Sequence, residues 1–97
     1  MTFTEKIKQL REQRQLPQRK VAEALDIDSA TYCKIERGER RARKEHIPVI
    51  AEMLQTDEKE LLTLWLADQI IEVVEDEKDI ADKVLRIAEE QITDKQI

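Results

Sequence analysis

This sequence has few of the residues that form tight turns: it contains one glycine and two prolines among 97 residues. β-Hairpins and β-sandwiches need such residues at regular intervals, so their scarcity argues against a sheet protein. Charged and apolar residues each make up 40% of the chain, a balance typical of helices with one buried face. We predict an all-α protein, and the length suits a single small core.

Other scarce features exclude further classes of protein. The single cysteine, Cys33, cannot form an internal disulfide, and the cytoplasm is the expected compartment. No apolar run approaches the roughly 18 residues of a membrane span, and the amphipathic first residues do not resemble a signal peptide. We expect a cytoplasmic protein that does not enter a membrane.

Catalytic and metal-binding clusters are absent from the sequence. There is no Ser-His-Asp set and no glycine-rich phosphate loop. The only histidine, His46, has no cysteine, histidine or carboxylate at ligand spacing, and the acidic run 75–79 lacks the glycine of a calcium loop. The sequence predicts no enzyme, no metal, no cofactor and no small-molecule ligand.

Charge is divided unevenly along the chain, whose net charge is −5. Residues 1–47 contain 12 Lys and Arg against 8 Asp and Glu, whereas residues 48–97 contain 5 against 14. The first half can therefore face a polyanion, while the second half would be repelled by one. Taken alone, this asymmetry also fits two ordinary solvated surfaces.

Apolar residues recur at helical spacing along the whole chain. Asp28 is a predicted N-cap, Gly38 a predicted C-terminal stop, and Pro17 suits the first turn of a helix. These signals predict five or six helices, at 2–14, 17–25, 29–38, about 45–54, 57–76 and 78–92. We predict that the charged run 75–79 breaks the last two into separate helices. One continuous helix is the alternative, because an apolar residue recurs every seven positions at Leu66, Val73, Ile80 and Ile87.

The fifth predicted helix is apolar on nearly two faces, although a surface helix needs only one. One face can pack on the first half of the chain, and the other requires a partner. We predict a dimer interface formed by this helix and the last one, at Leu62, Trp65, Leu66, Ile70, Val73, Ile80, Val84 and Ile87.

Two short helices joined by a tight turn, 17–25 and 29–38, form the pattern of a helix-turn-helix. In the second helix, small residues and two long cations, Lys34 and Arg37, remain outside once Tyr32 faces inward. A major groove about 12 Å wide admits one helix of this kind. The helix before it crosses the DNA backbone and directs its positive N-terminal end towards a phosphate.

The stretch LREQRQLPQRKVAEALDIDSATYCKIERGER, from Leu10 to Arg40, resembles the Cro and phage-repressor type of helix-turn-helix, called the XRE family. The resemblance covers about residues 3–64. Controller proteins of restriction-modification systems, phage regulators and antitoxins all share this architecture, and the sequence does not separate them. The resemblance implies a lambda-repressor-like DNA-binding domain at 1–64, followed by a helical dimerisation extension at 65–97. The matching residues are Leu10, Arg11, Arg14, Gln18, Val21, Ala22, Ile27, Thr31, Ile35, Glu36, Gly38, Ile47, Ile50, Ala51, Leu54 and Leu61.

The resemblance also implies roles for individual residues. Arg11 should pair with Glu36 and so fix the recognition helix. Lys34 is the preferred base reader, because its ammonium can donate to guanine O6 and N7. The full set of implied base readers is Ser29, Ala30, Thr31 and Lys34. The residues implied to contact the DNA backbone are Gln18, Arg19, Cys33, Arg37, Arg40, Arg41 and Arg43.

The sequence departs from the family pattern at four places, and the first two concern local turn geometry. Asp26 replaces the usual turn glycine, and Pro17 replaces the Ser or Thr that caps the second helix. Ala42-Arg43 replaces Pro-Ser, and Tyr32 replaces an aliphatic residue. Because aspartate can adopt the left-handed conformation at some cost, we expect the fold to be kept. We expect the affinity of one monomer for DNA to be modest.

Motif and resemblance together predict a sequence-specific regulator that binds double-stranded DNA as a homodimer on an inverted repeat. Repression, including repression of its own promoter, is the expected action. The alternative is an antitoxin-like interaction module, in which the acidic C-terminal helices bind a partner protein. A homodimer in isolation favours the regulator, and apolar surface that only another protein covers favours the alternative.

Overall fold

The computed structural model describes residues 1–95 and contains six helices joined by turns and loops. No strand occurs among these residues. The predicted all-α class is confirmed, with six helices rather than five. Their bounds are α1 Phe3–Gln13, α2 Gln18–Leu25, α3 Ser29–Glu36, α4 His46–Leu54, α5 Glu58–Val74 and α6 Ala81–Lys95.

Side chains placed just before three helices accept hydrogen bonds from backbone N–H groups that have no partner inside the helix. Thr2 forms a capping box with Glu5: the Thr2 hydroxyl accepts from the N–H of Glu5 at 3.2 Å, and the Glu5 carboxylate accepts from the N–H of Thr2 at 3.0 Å. The Asp28 carboxylate accepts from the N–H of Thr31 at 2.7 Å. Asp57 caps α5 in the same way, at 2.9 Å. These starts follow from local sequence.

Several turns between α1 and α5 pass through the left-handed backbone conformation. α2 ends at Asp26, with φ 58° and ψ 42°, and α4 ends at Gln55, with φ 52°. Gln15 has φ 56° and Gly38 has φ 77°. Glycine adopts this conformation freely, whereas other residues do so at a cost. Gly38 stops α3 as predicted, and Asp26 takes the conformation of the glycine that it replaces.

The structure corrects one helix boundary expected from the sequence and decides between the two alternatives at another. Pro17 is the residue before α2, with φ −73° and ψ 152°, and does not belong to the first helical turn. The predicted break after α5 is confirmed and the continuous helix is wrong. Backbone hydrogen bonds from Glu77 to Val74 and from Ile80 to Glu77 close the turn between α5 and α6. The charged run is solvated there, and the seven-residue apolar recurrence is interrupted.

The main core lies among α1 to α4 and the start of α5. Helices as short as α2 and α3, with eight residues each, are marginal in water alone, so burial of their apolar faces stabilises them. The inward faces are those that helical spacing predicts. The largest fully buried side chains are Tyr32, Ile7, Ile35, Ile47, Ile50, Leu54, Leu61 and Val21.

The chain divides into two compact units. The first, Met1–Leu66, contains α1 to α4 and the N-terminal half of α5. The second begins at Ala67 and contains the end of α5 together with α6. The predicted functional division at 64/65 stays a prediction. Within the described residues, the helices lack the combination of length and apolar character needed to cross a bilayer.

We predict that Asp26→Gly stabilises the protein. Asp26 holds a left-handed conformation with φ 58°, which costs an L-residue about 1–2 kcal/mol, less for aspartate, and which glycine adopts without strain. The greater freedom of glycine in the unfolded chain offsets part of this gain. The free energy of unfolding should rise by about 0.5 kcal/mol, measured by urea denaturation.

Ala24→Gly is the matched control, since Ala24 is an exposed position inside α2. Glycine relieves no strain there, and the free energy of unfolding should fall by about 1 kcal/mol. Equal destabilisation by both substitutions would show that the conformation of Asp26 does not limit this turn.

Candidate nucleic-acid interface

A three-residue turn joins α2 to α3. The backbone N–H groups of Asp26 and Ile27 both donate to the carbonyl of Ala22, the latter at 3.1 Å. Ile27 packs against the core, and Asp28 caps the start of α3. Because α2 and α3 also pack against each other, the outer face of α3 rests on a fixed support.

The two faces of α3 differ in exposure. Tyr32, Ile35 and Glu36 are buried, at 0%, 2% and 7% exposure. Lys34 is the long cation of the opposite face, and its neighbours there are small, so a large surface can approach α3 closely. The positions predicted for DNA contact on this face are all exposed or half-buried: Ser29, Ala30, Thr31, Cys33 and Lys34.

The first turn of α2 combines backbone N–H groups with cations. Pro17 precedes the helix and has no side-chain group that can cap it. Arg19 and Lys20 are exposed in this turn. The Arg19 guanidinium lies 3.9 Å from the Glu23 carboxylate, but an exposed pair of this kind is weak. A phosphate placed here would meet two cations and the positive end of the helix dipole.

Residues 37–45 connect α3 to α4, and we name them the arginine loop. Two of its arginines have acidic neighbours: Arg37 lies 3.5 Å from Glu39, and Arg43 lies 3.8 Å from Glu45. Such exposed ion pairs are weak and exchange readily for a phosphate. The loop takes its name from four exposed side chains, Arg37, Arg40, Arg41 and Arg43.

A pocket of about 350 Å³ lies between the α2–α3 turn and the arginine loop. Guanidinium groups around one opening attract an anion such as a DNA phosphate, although Asp26 reduces the positive potential. Within residues 1–95, His46 belongs to no cluster of metal-binding side chains. The polar lining of the pocket consists of Asp26, Thr31, Arg40, Arg41, Arg43 and His46.

Arg11 connects α1 to the end of α3. Its guanidinium donates to the two carboxylate oxygens of Glu36, at 2.7 and 3.1 Å, and to the carbonyl of Leu16 at 2.7 Å. The Gln18 amide donates to the same carboxylate at 3.1 Å. The pair implied by the family resemblance is present. Gln18, expected to contact DNA, is partly engaged inside the protein and retains one amide hydrogen and its oxygen for another contact.

The buried Glu36 carboxyl is held in its charged form. Burial alone would raise its pKa, but hydrogen bonds from Arg11 and Gln18, together with the nearby Tyr32 hydroxyl, hold the pKa below the ordinary value of glutamate. Burial, and then the neighbouring carboxylate, raises the pKa of Tyr32. Within the described residues, the Tyr32 hydroxyl has no partner at ordinary hydrogen-bond geometry, so its interaction with Glu36 is electrostatic.

Comparison with protein families agrees with this geometry. A family model described as a helix-turn-helix domain matches residues 2–64, which is more than half of the chain. The chain belongs to the helix-turn-helix family. It is therefore a DNA-binding regulator, in which α3 occupies the place of the recognition helix. No curated protein and no solved structure matches the chain significantly.

Two residues predicted for the dimer interface pack against the core of the helix-turn-helix unit. Leu62 and Trp65 are both half-buried on α5, so the contact that we assigned to a second copy is partly internal. The Trp65 indole N–H donates to the carbonyl of Ala42, in the arginine loop, at 2.9 Å. A half-buried tryptophan usually has an acceptor for its N–H, but spacing along α5 cannot identify that acceptor.

We predict that Arg11→Met destabilises the helix-turn-helix protein strongly at neutral pH. The substitution leaves the Glu36 carboxylate, only 2% exposed, without its cation. Removing one partner of a buried pair costs about 3–5 kcal/mol, and the partial exposure of Arg11 favours the lower figure, about 3 kcal/mol. Urea denaturation at neutral pH measures this loss.

The loss should shrink in acid. Because the pKa of Glu36 is lowered in the folded protein, its contribution to stability is complete above the ordinary value, about 4.3, and is lost as the pH falls through the lowered value. The stabilities of wild type and Arg11→Met should therefore converge as the pH falls below the ordinary pKa of glutamate. In a Glu36→Gln background, Arg11→Met should cost much less. An equal cost at every pH would indicate that Arg11 acts through packing and not through charge.

Proposed function

We propose that this helix-turn-helix protein is a sequence-specific regulator of the XRE type, whose α3 enters the major groove of double-stranded DNA. The difference between the two faces of α3 supports the proposal. Its inner face is buried and tied to α1 through Arg11 and Glu36, while its outer face is exposed, small and cationic. A major groove about 12 Å wide accepts a helix of this kind.

Lys34 supports direct reading of bases. It is exposed on the outer face of α3, and Ser29 and Ala30 are small exposed residues at the start of the same helix. Its ammonium suits the O6 and N7 acceptors of guanine, and small neighbours permit close approach to base edges. Contacts from the first turn of α2 and from the arginine loop to phosphates would supply most of the affinity and its salt dependence.

The exposed apolar surface of the second unit supports a homodimer. Monomeric proteins rarely expose a contiguous apolar patch of large side chains without a function for it. Two copies also provide two recognition helices, and one helix of eight residues contacts too few base pairs to select a site. Large apolar side chains between 39% and 78% exposed are Ile70, Ile71, Val73, Ile80, Val84, Leu85, Ile87 and Ile92.

The homodimer would recognise an inverted repeat. Its two copies of α3 would enter successive major grooves, about 34 Å apart. A dimer bound across a promoter would exclude polymerase and act as a cytoplasmic repressor. Its own promoter is one promoter that we propose it represses.

A second candidate function rests on the same apolar surface. Residues 48–97 contain 14 Asp and Glu against 5 Lys and Arg, so two copies of this half repel each other electrostatically, whereas a basic partner protein would be attracted. An antitoxin-like module would use the surface in this way. The oligomeric state of the isolated chain distinguishes the two functions.

Selection from a random duplex library, with wild type and Lys34→Ala in parallel, tests the proposed regulator. We expect wild type to enrich an inverted repeat. Lys34→Ala should lose about 1–3 kcal/mol of discrimination at one base pair of each half-site. Lys83→Ala, at an exposed lysine of α6, is the matched control and should enrich the wild-type sequence. The proposal is wrong if wild type enriches no sequence at physiological salt.

Substitution of the apolar surface tests the homodimer. Ile70 and Ile87 are 50% and 52% exposed, and burial of an isoleucine side chain contributes about 1.5–3 kcal/mol. Ile70→Lys or Ile87→Lys should therefore raise the Kd of the dimer at least about tenfold, measured by analytical ultracentrifugation. Thr93→Lys adds the same charge to α6 and should leave the Kd unchanged. A wild type that is monomeric at micromolar concentration contradicts the homodimer and favours a partner protein.

A further inference from the structure

The middle of the arginine loop is buried although its arginines are exposed. Ala42 is 3% exposed, whereas Arg41 and Arg43 on either side of it are exposed. The backbone at Ala42 therefore faces the protein while its two neighbours extend away from it. Whatever holds Ala42 in place also determines where these two guanidinium groups can reach.

A tryptophan of α5 holds Ala42. The indole N–H of Trp65 donates to the Ala42 carbonyl at 2.9 Å in a part-buried setting, and the Trp65 ring packs against the core. Other hydrogen bonds hold the ends of the loop. The N–H of Glu39 donates to the carbonyl of Lys34 at 2.9 Å, and the N–H of His46 donates to the carbonyl of Arg43 at 3.0 Å.

A fixed loop binds phosphate better than a free one. Ordering a backbone segment costs conformational entropy, and a loop that becomes ordered only on binding loses affinity because of that cost. A carbonyl bonded to a half-buried indole is shielded from water, so the bond is stronger than an exposed one. The arginines are then positioned before DNA arrives.

We propose that Trp65 is a positioning residue for DNA binding: by its hydrogen bond to the Ala42 carbonyl, it holds Arg41 and Arg43 where both contact phosphates of one duplex. Trp65 does not itself touch DNA. This inference rests on the proposed DNA-binding function. Through Trp65, α5 would influence the phosphate contacts of the helix-turn-helix unit, and the exposed apolar surface begins on the same helix.

The test replaces the indole N–H and nothing else. Trp65 is the only tryptophan of the chain, so biosynthetic replacement by β-(3-benzothienyl)alanine, in which sulfur takes the place of N–H, changes this one site. A random-sequence duplex is the probe, because phosphate contacts need no operator. We expect the Kd to rise about three- to tenfold. The slope of log Kd against log salt should fall by about one to two, since each phosphate contact contributes about 0.9.

Leu64→Ala separates positioning from general stability. Leu64 also lies half-buried on α5 and packs against the core, so its truncation weakens the fold without removing the indole bond. It should leave the salt slope unchanged. Trp65→Phe, which keeps an aromatic ring without the N–H, should reproduce the reduced slope of the analogue.

The outcomes distinguish failure of the positioning role from failure of the DNA-binding function. If wild type binds the duplex at low salt and the analogue binds with the same Kd and slope, the positioning role is wrong and the DNA-binding function stands. If Leu64→Ala lowers the slope as much as the analogue does, the effect is one of stability and the positioning role is again wrong. If wild type binds no duplex, both the proposed function and the positioning role are overturned.

Discussion

Arg11 connects three elements of the helix-turn-helix unit through one guanidinium group. It donates to the Glu36 carboxylate at the end of α3 and to the carbonyl of Leu16 just before α2. Gln18, the first residue of α2, donates to the same carboxylate. With eight residues each, α2 and α3 are too short to be stable alone. The ion pair and the core beside it therefore determine where the recognition helix lies.

The same pairing shapes the charge of the surface that we propose to face DNA. The Arg11 guanidinium balances the negative charge of Glu36 inside the protein, so this charge opposes Lys34 and the arginine loop little. Asp28 remains near them, and hydrogen bonds from Thr31 lower its pKa and keep it charged. Its negative charge lies at the start of α3, where it interacts favourably with the positive end of the helix dipole. Cations therefore outnumber uncompensated carboxylates on this surface only modestly, which agrees with our expectation of modest DNA affinity for a single copy.

Helices and their ends were predictable because their causes are local. The Thr2 and Asp28 caps and the Gly38 stop each depend on neighbours within four residues, and helical spacing identifies the buried faces. Pro17 was misplaced by one position, since proline suits both the residue before a helix and its first turn. The interface was predictable only through family resemblance, and the exposure of Lys34 agrees with it. Individual DNA contacts stay predictions.

Periodicity alone determines that α5 has two apolar faces, because side-chain direction repeats with the helical turn. It cannot assign those faces, since both satisfy the same pattern. Tertiary packing brings Trp65 within hydrogen-bond distance of the carbonyl of Ala42, 23 residues away. It likewise brings Gln18 to the carboxylate of Glu36, 18 residues away. A hydrogen-bond partner is the group that lies nearest in the folded chain, at the right angle. Positions far apart in sequence acquire such partners only when the helices between them have packed.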